Sequence, residues 1–292
     1  MIDATARRGA AEGSAGGVDV HCDGVVHIYS MPQGELVALR GVDLDLAPGE
    51  AIALLGPSGS GKSTLVALLA GLLRPTAGRL LIGGDDLGRM TAAQLLHLRA
   101  TEIGVVLQTG ASNLLPYGTT IENVWYAQRG ARRRGREVPW GPRELLERLG
   151  LADVAHQRVR KLSAGDQQRV ALGIGVANAP RLLLVDEPAS QLDSSGRQRV
   201  IDLLHAVNHD LGASMLVVTH DPTIAASMPR TVTIRDGRVS SEGRRGEEYA
   251  VVGKDGSVHL PPDVLRRLPP GTLLRLQRHA SGVDLRAADP DS

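Results

Sequence analysis

The stretch AIALLGPSGSGKSTLVALLAGLL, residues 51–73, constrains this chain more than any other. Five apolar residues read as a buried strand, a glycine-rich turn follows, and a helical run closes the segment. GPSGSGKST (56–64) fits G-x-x-x-x-G-K-[ST] in the context that gives the pattern meaning, strand before and helix after. Gly59 and Gly61 permit a tight turn that aims successive N–H groups at an anion. The helix beginning near Lys62 adds its positive end. The whole loop is therefore a candidate phosphate cradle: Gly56, Pro57, Ser58, Gly59, Ser60, Gly61, Lys62, Ser63 and Thr64. Lys62 suits the β- and γ-phosphates of a nucleotide, and the Ser63 hydroxyl suits Mg²⁺.

A strand that leads into such a loop implies further strands beside it. RLLIGG, IGVVLQ (103–108), RLLLVDEP (181–188) and MLVVTH (215–220) are strand candidates, and TVTIRDGRV (231–239) reads as a hairpin with an Asp-Gly turn. Their alternation with helical patterns predicts an α/β domain with a largely parallel sheet over about 18–245. Residues 88–178 read as mostly helical, a subdomain inserted in that core. RGARRRGREVPWGP (129–142) carries the highest charge density and reads as a solvated loop, or as a contact for phospholipid or a permease. Past 245 the pattern changes to short strand and helix signals between Pro-Pro and glycine turns, which predicts a small extension over 246–292.

Composition narrows the class. The chain has 292 residues, 42% hydrophobic and 22% charged, as in a soluble globular protein. Its net charge of +1 provides no bulk attraction for nucleic acid or an acidic membrane. Phe is absent, so Leu, Val, Ala and Ile must build the core. One cysteine, Cys22, excludes an internal disulfide and reads as an apolar filler. Residues 1–17 are small and glycine-rich with no apolar stretch, which predicts a disordered leader and no signal peptide. No run reaches the roughly 18 apolar residues a spanning helix needs.

In an open α/β sheet, ligands bind at the carboxyl ends of the strands. Asp186 and Glu187 end one strand: Asp186 suits the Mg²⁺ shell, and Glu187 suits a general base for the water attacking a γ-phosphate. His220 ends another strand, where γ-phosphate contact is expected. Gln108 ends a third and could bind Mg²⁺ or the attacking water.

Five ordered elements, GPSGSGKST, Gln108, LSAGD (162–166), LLLVDEP with SQLD after it, and His220, resemble the nucleotide-binding subunits of ABC transporters over roughly 18–245. The resemblance implies a P-loop NTPase core with an antiparallel β subdomain and an inserted helical subdomain. It also implies an ATPase that uses ATP and Mg²⁺. In that family, LSGGQ-like residues complete the site of a second subunit arranged head to tail. Ser163, Ala164, Gly165 and Asp166 would therefore serve a partner's ATP, a function compatible with a hydroxyl and N–H groups at a helix N-terminus. Asp193 in SQLD would lie near the dimer interface, and Tyr29 falls where the family stacks an aromatic ring on adenine.

Two positions depart from the pattern. Ala164 stands in place of glycine and is tolerated unless its φ is positive; Asp166 stands where glutamine is usual. A carboxylate facing phosphate would be repelled, whereas one turned to its own helix N-terminus would be favourable there; the expectation is weaker or slower ATP-driven closure, not its loss.

The flanking segments GELVALRGVDLDLAPGE and LRATEIGVVLQ…NLLPYGTTIENV look most like the lipoprotein-release and macrolide-efflux branch. That implies a second ATPase subunit, identical or paralogous, a permease on a separate chain, and a position at the cytoplasmic face of the membrane. KDGSVHLPPDVLRRLPPGTLLRL in the tail resembles an AbrB-like hairpin, a dimerisation or regulatory module. Two other readings stand beside this one: a soluble ABC ATPase acting on ribosomes or DNA, and an ATP-switched regulatory protein. One set of motifs without sustained heptads disfavours the first of these.

Overall fold

The computed structural model describes residues 16–32, 34–108, 113–133, 138–244, 246–254, 256–260, 262–279 and 282–287. The first half runs β1 (Val20–Met31), β2 (Gly34–Leu46), β3 (Ala51–Leu55), α1 (Lys62–Leu69), β4 (Ala77–Ile82), β5 (Asp85–Asp86), α2 (Ala92–Thr101), β6 (Ile103–Val106), α3 (Thr120–Arg133) and α4 (Pro142–Arg148). Two 3-10 turns, Ala152–Val154 and Val159–Lys161, lead to α5 (Ala164–Val176), β7 (Leu182–Asp186), α6 (Ser194–Leu211) and β8 (Ser214–Val218). Then come α7 (Pro222–Ser227), β9 (Arg230–Arg235), β10 (Arg238–Arg244), β11 (Glu247–Ala250), α8 (Pro262–Arg267), β12 (Leu274–His279) and β13 (Gly282–Ala287).

Seven strands form the central sheet in the order β11-β10-β9-β3-β8-β7-β6. The pairs β9/β3, β3/β8, β8/β7 and β7/β6 are parallel. Strands buried on both faces divide their side chains between two cores. Ala51, Ala53, Leu183, Val185, Met215 and Val217 pack with α3 to α6 on one side. Ile52, Leu54, Leu182, Leu184, Leu216 and Val218 pack on the other with α1, α2 and a second, antiparallel sheet ordered β2-β1-β4-β5. Close contact of α5 with the edge strand needs two glycines. A Cβ on Gly104 would stand 2.0 Å from Gly175 O.

The segment 88–178 is mostly helical with the expected strand inside it, and that strand, β6, belongs to the central sheet through its pairing with β7. Several expectations change here. The charged stretch 129–142 is no simple loop: α3 runs to Arg133. Trp140 is buried, with the Arg148 guanidinium 4.5 Å from its ring centroid. Strand β11 continues the main sheet beyond 245 by pairing with β10, and Val251 packs on the core. Farther on, β12 and β13 form a separate two-stranded hairpin. Most of the expected leader lies outside the described residues, but Gly16 and Gly17 are placed and accept hydrogen bonds from Arg181.

Candidate active site

Parallel order explains why distant motifs meet. Because β3, β8, β7 and β6 are adjacent and run the same way, their carboxyl ends form one edge. They deliver there the 56–64 loop, His220, Asp186 with Glu187, and Gln108. Gln108 is exposed, two residues past β6; residues 109–112 lie outside the described chain.

The phosphate loop is held from three sides. Gly61 begins α1 in a left-handed conformation (φ 103°), and a Cβ there would lie 2.6 Å from Leu39 Cδ2 and 2.7 Å from Ala38 O. Gly56 also has a positive φ, and its Cβ would meet Ile234 O at 2.1 Å. The β9–β10 turn, Asp236-Gly237, has positive φ at both residues, as the tight hairpin requires. It docks on the loop: Gly237 N–H donates to Ser60 O at 3.1 Å, and Arg40 N–H donates to Gly237 O at 2.8 Å. Lys62 Nζ donates to Gly56 O and Pro57 O, both at 2.8 Å, so its ammonium lies folded over the loop. The Ser60 hydroxyl is buried and has no hydrogen-bond partner among the described residues. Pro57, Ser58 and Gly59 are exposed at the loop's crest.

Ser63 Oγ donates to Asp186 Oδ2 at 2.8 Å, joining the start of α1 to the end of β7. Burial raises the Asp186 carboxyl above its ordinary range and Glu187 pushes the same way, against the Ser63 hydrogen bond and the Lys62 charge. A buried carboxylate beside a hydroxyl is a hard-oxygen pair that a divalent cation would stabilise, and Mg²⁺ takes few protein ligands and keeps waters and phosphate oxygens. The absence of any cluster of three or more His, Cys, Asp or Glu among the described residues is compatible with that mode of binding. These residues fit Mg²⁺.

Glu187 is buried and left-handed (φ 52°), uncommon for a residue with a side chain. Its N–H donates to Val218 O at 2.9 Å, fixing the turn against β8. Its Oε1 lies 2.8 Å from Nδ1 of His220, whose side chain is 74% exposed. Tyr29 is half-buried on β1; its hydroxyl lies 3.3 Å from Thr64 Oγ1 and its ring meets His27 edge-on at 4.6 Å. An aromatic face is thereby fixed beside α1.

LSAGD forms the start of α5. Ser163 is the N-cap, its hydroxyl accepting Asp166 N–H at 3.1 Å. Ala164 is the first helical residue and is not left-handed, so its methyl is accommodated. The Asp166 carboxylate pairs with Arg169, whose guanidinium also donates to Leu149 O at 2.7 Å. Gly165 faces the 191–192 turn, where a Cβ would stand 3.1 Å from Leu192 Cδ2. Asp193 caps α6, accepting Gly196 N–H at 2.8 Å, and this bond with that from Ser195 holds its carboxyl below the usual range. Sequence reasoning missed Arg169 and the Gly237 dock. An Asp and an Arg three apart on one helix could have signalled the first; the second depends on contacts between distant segments.

Known proteins resemble this chain in sequence and fold. The family model described as ABC transporter matches residues 39–190. The lipoprotein-releasing system ATP-binding protein LolD of Anaeromyxobacter dehalogenans is 42% identical over 206 residues, 70% of this chain and 85% of that protein. The macrolide export ATP-binding/permease protein MacB of Chromobacterium violaceum is 38% identical over 227 residues, 76% of this chain but 34% of that longer protein. The solved dimer of the ATP-binding cassette MJ0796, in a post-hydrolysis state bound to ADP and Pi, is 32% identical with a TM-score of 0.70, covering 77% of this chain and 98% of that one. From the phosphate loop on β3 to the carboxylates on β7, and across these matches, the chain belongs to the ABC transporter family.

Proposed function

We propose that the chain is the ATP-hydrolysing subunit of a transporter, pairing head to tail with a second such subunit and driving a permease on a separate chain. The observation that carries this reading is the buried Glu187 carboxylate beside the Ser63–Asp186 pair, with His220 against it. Lys62 exchanges its loop carbonyls for the β- and γ-phosphates. Tyr29 stacks on the adenine. Ser63 and Asp186, with Gln108, hold Mg²⁺, which supplies charge neutralisation at the phosphates. Glu187 takes a proton from the attacking water, and His220 orients the Glu187 carboxylate and the γ-phosphate. The second copy contributes Ser163, Gly165 and the α5 N-terminus, with Ala164 and Asp166 beside them and Asp193 near the interface.

No helix among the described residues is long and apolar enough to cross a membrane. Membrane work is assigned to the permease. A groove of about 830 Å³ between α2, β6, α3 and α5 supports that reading, lined by Leu107, Tyr126, Arg129 and Arg133 next to Gln108. Trp125 and Tyr126 stand half exposed on α3, as a docking surface requires. The likeness to LolD and MacB supports export, or extraction of a substrate at the outer face, with this subunit at the cytoplasmic face.

Glu187→Gln is expected to abolish turnover and trap an ATP-bound dimer; a variant that hydrolyses at the normal rate refutes Glu187 as the base. Recovery from membranes with a polytopic protein is expected, and recovery with ribosomes or DNA refutes the transport reading.

A further inference from the structure

Arg197 and Asp221 join the two segments that flank Glu187. Arg197 lies in the first turn of α6, its N–H donating to Asp193 O at 2.9 Å. Asp221 follows His220 directly. Arg197 Nε is 2.5 Å from Asp221 Oδ2, an ion pair out of line for a hydrogen bond. The two side chains are 30% and 17% exposed, so water screens the pair less than a surface bridge.

Asp221 divides its carboxylate between two tasks. Its Oδ1 accepts the N–H groups of Thr223 at 2.8 Å and Ile224 at 3.4 Å, capping α7. Its Oδ2 faces Arg197. Despite burial, these partners hold its carboxyl below the ordinary range. On one side of the bridge, Asp221 N–H donates to Thr219 Oγ1 at 3.0 Å, and His220 between them reaches Glu187. On the other, the Asp193 cap fixes the 191–196 turn, which packs against Gly165. The His220 loop and the Asp193 turn leave the ends of two neighbouring strands and already meet at Glu187; the Arg197–Asp221 pair adds a second tie farther along, beyond Asp193.

We propose that Arg197–Asp221 is a positioning bridge that makes the His220 loop and the Asp193 turn move as one body. The state of this chain's own Glu187 site is thereby passed to the surface offered to the second copy. The inference rests on the head-to-tail reading above. Without the bridge, Lys62 and Ser63 still hold nucleotide, but His220 loses its register on Glu187 and the two sites lose their coupling.

The test uses the full chain with Asp221→Asn, which keeps the Oδ1 cap and removes the charge, Arg197→Gln, and the conservative Arg197→Lys. ATP hydrolysis is measured against ATP concentration for each. Asp221→Asn and Arg197→Gln are expected to lower kcat roughly two- to thirtyfold with KM little changed. The Hill coefficient is expected to fall toward one, and Arg197→Lys to restore both. Wild-type kcat and Hill coefficient in Asp221→Asn overturn the proposal. So does a lower kcat that keeps the wild-type Hill coefficient, because that marks a merely structural bridge. A dimer whose wild-type hydrolysis shows no cooperativity overturns this proposal alone, whereas a Glu187→Gln chain that stays monomeric with ATP removes the dimer reading itself.

Discussion

Replacing Asp166 by glutamine separates two opposite roles for one carboxylate. In the structure Asp166 sits in the first turn of α5 and pairs with Arg169, whose side chain is only 13% exposed and is anchored on Leu149 O. A carboxylate at a helix N-terminus contributes about 0.3–1 kcal/mol. An i,i+3 ion pair adds about 0.5 kcal/mol at the surface and more when half-buried, so the variant is expected to lose about 1–2 kcal/mol of stability. A carboxylate aimed at a partner's γ-phosphate would act differently. At ~6 Å and an effective dielectric of ~20, each unit of like charge costs about 3 kcal/mol, or about a hundredfold in dimer affinity. The assay has two arms. Urea unfolding of the nucleotide-free protein is expected to show the stability loss. ATP-dependent dimerisation of Asp166→Gln in a Glu187→Gln background is expected to stay within about threefold of the Glu187→Gln parent. Unchanged stability together with dimerisation tightened about a hundredfold would refute the assignment of Asp166 to its own helix.

Arg230→Met should destabilise the fold by about 2–3 kcal/mol in chemical denaturation, less than a fully buried pair because Glu50 and Glu242 keep some exposure. Arg230 and Arg244 hold the Glu242 carboxyl below its ordinary range despite burial, so it stabilises the fold above its unfolded pKa of about 4.3 and loses that as pH falls through the lower folded value. The gap between wild type and Arg230→Met should therefore narrow below about pH 4; a gap that widens refutes the ion-pair account. Gly56→Ala should lose nucleotide binding outright, since its methyl would overlap Ile234 O, and wild-type affinity for a fluorescent ATP analogue would contradict the close approach. Cys22 is buried, chiefly by which its thiol is pushed up to about 12, so maleimide labelling at pH 8 should be silent until the protein unfolds; rapid labelling of the native chain would refute that burial.

Local signals were legible where chain neighbours alone decide the conformation. AIALL matches β3 residue for residue, and RLLLVDEP contains β7 with one residue to spare at its start. Asp236-Gly237 makes the turn its composition implies. Elements defined by pairing were harder. IGVVLQ was readable as a strand, but β6 stops at Val106, where its pairing with β7 ends. β11 is exposed along its whole length, so it carries no apolar alternation, and its pairing with β10 makes it part of the sheet. At the site, residue types and spacing identified Lys62, Ser63, Asp186 and Glu187 as candidates. The contacts of His220 with Glu187 and of Arg197 with Asp221 depend on chain crossings that no short window contains.

The strand that carries the phosphate loop has a further consequence for how this chain is made. Among the described residues β3 pairs with β8 and β9: Ala51 lies opposite Met215, and Ile52 opposite Arg230. The loop also leans on the turn at Gly237. A ribosome therefore releases this wholly apolar strand and its helix long before the strands that pair with it exist. Such distant pairings form late and slowly. A nascent chain interrupted anywhere before about residue 240 would expose an unpaired apolar edge and have no firm hold on nucleotide. ATP present during synthesis would stabilise only the finished domain, which makes ligand-assisted folding an all-or-nothing event at the end of translation.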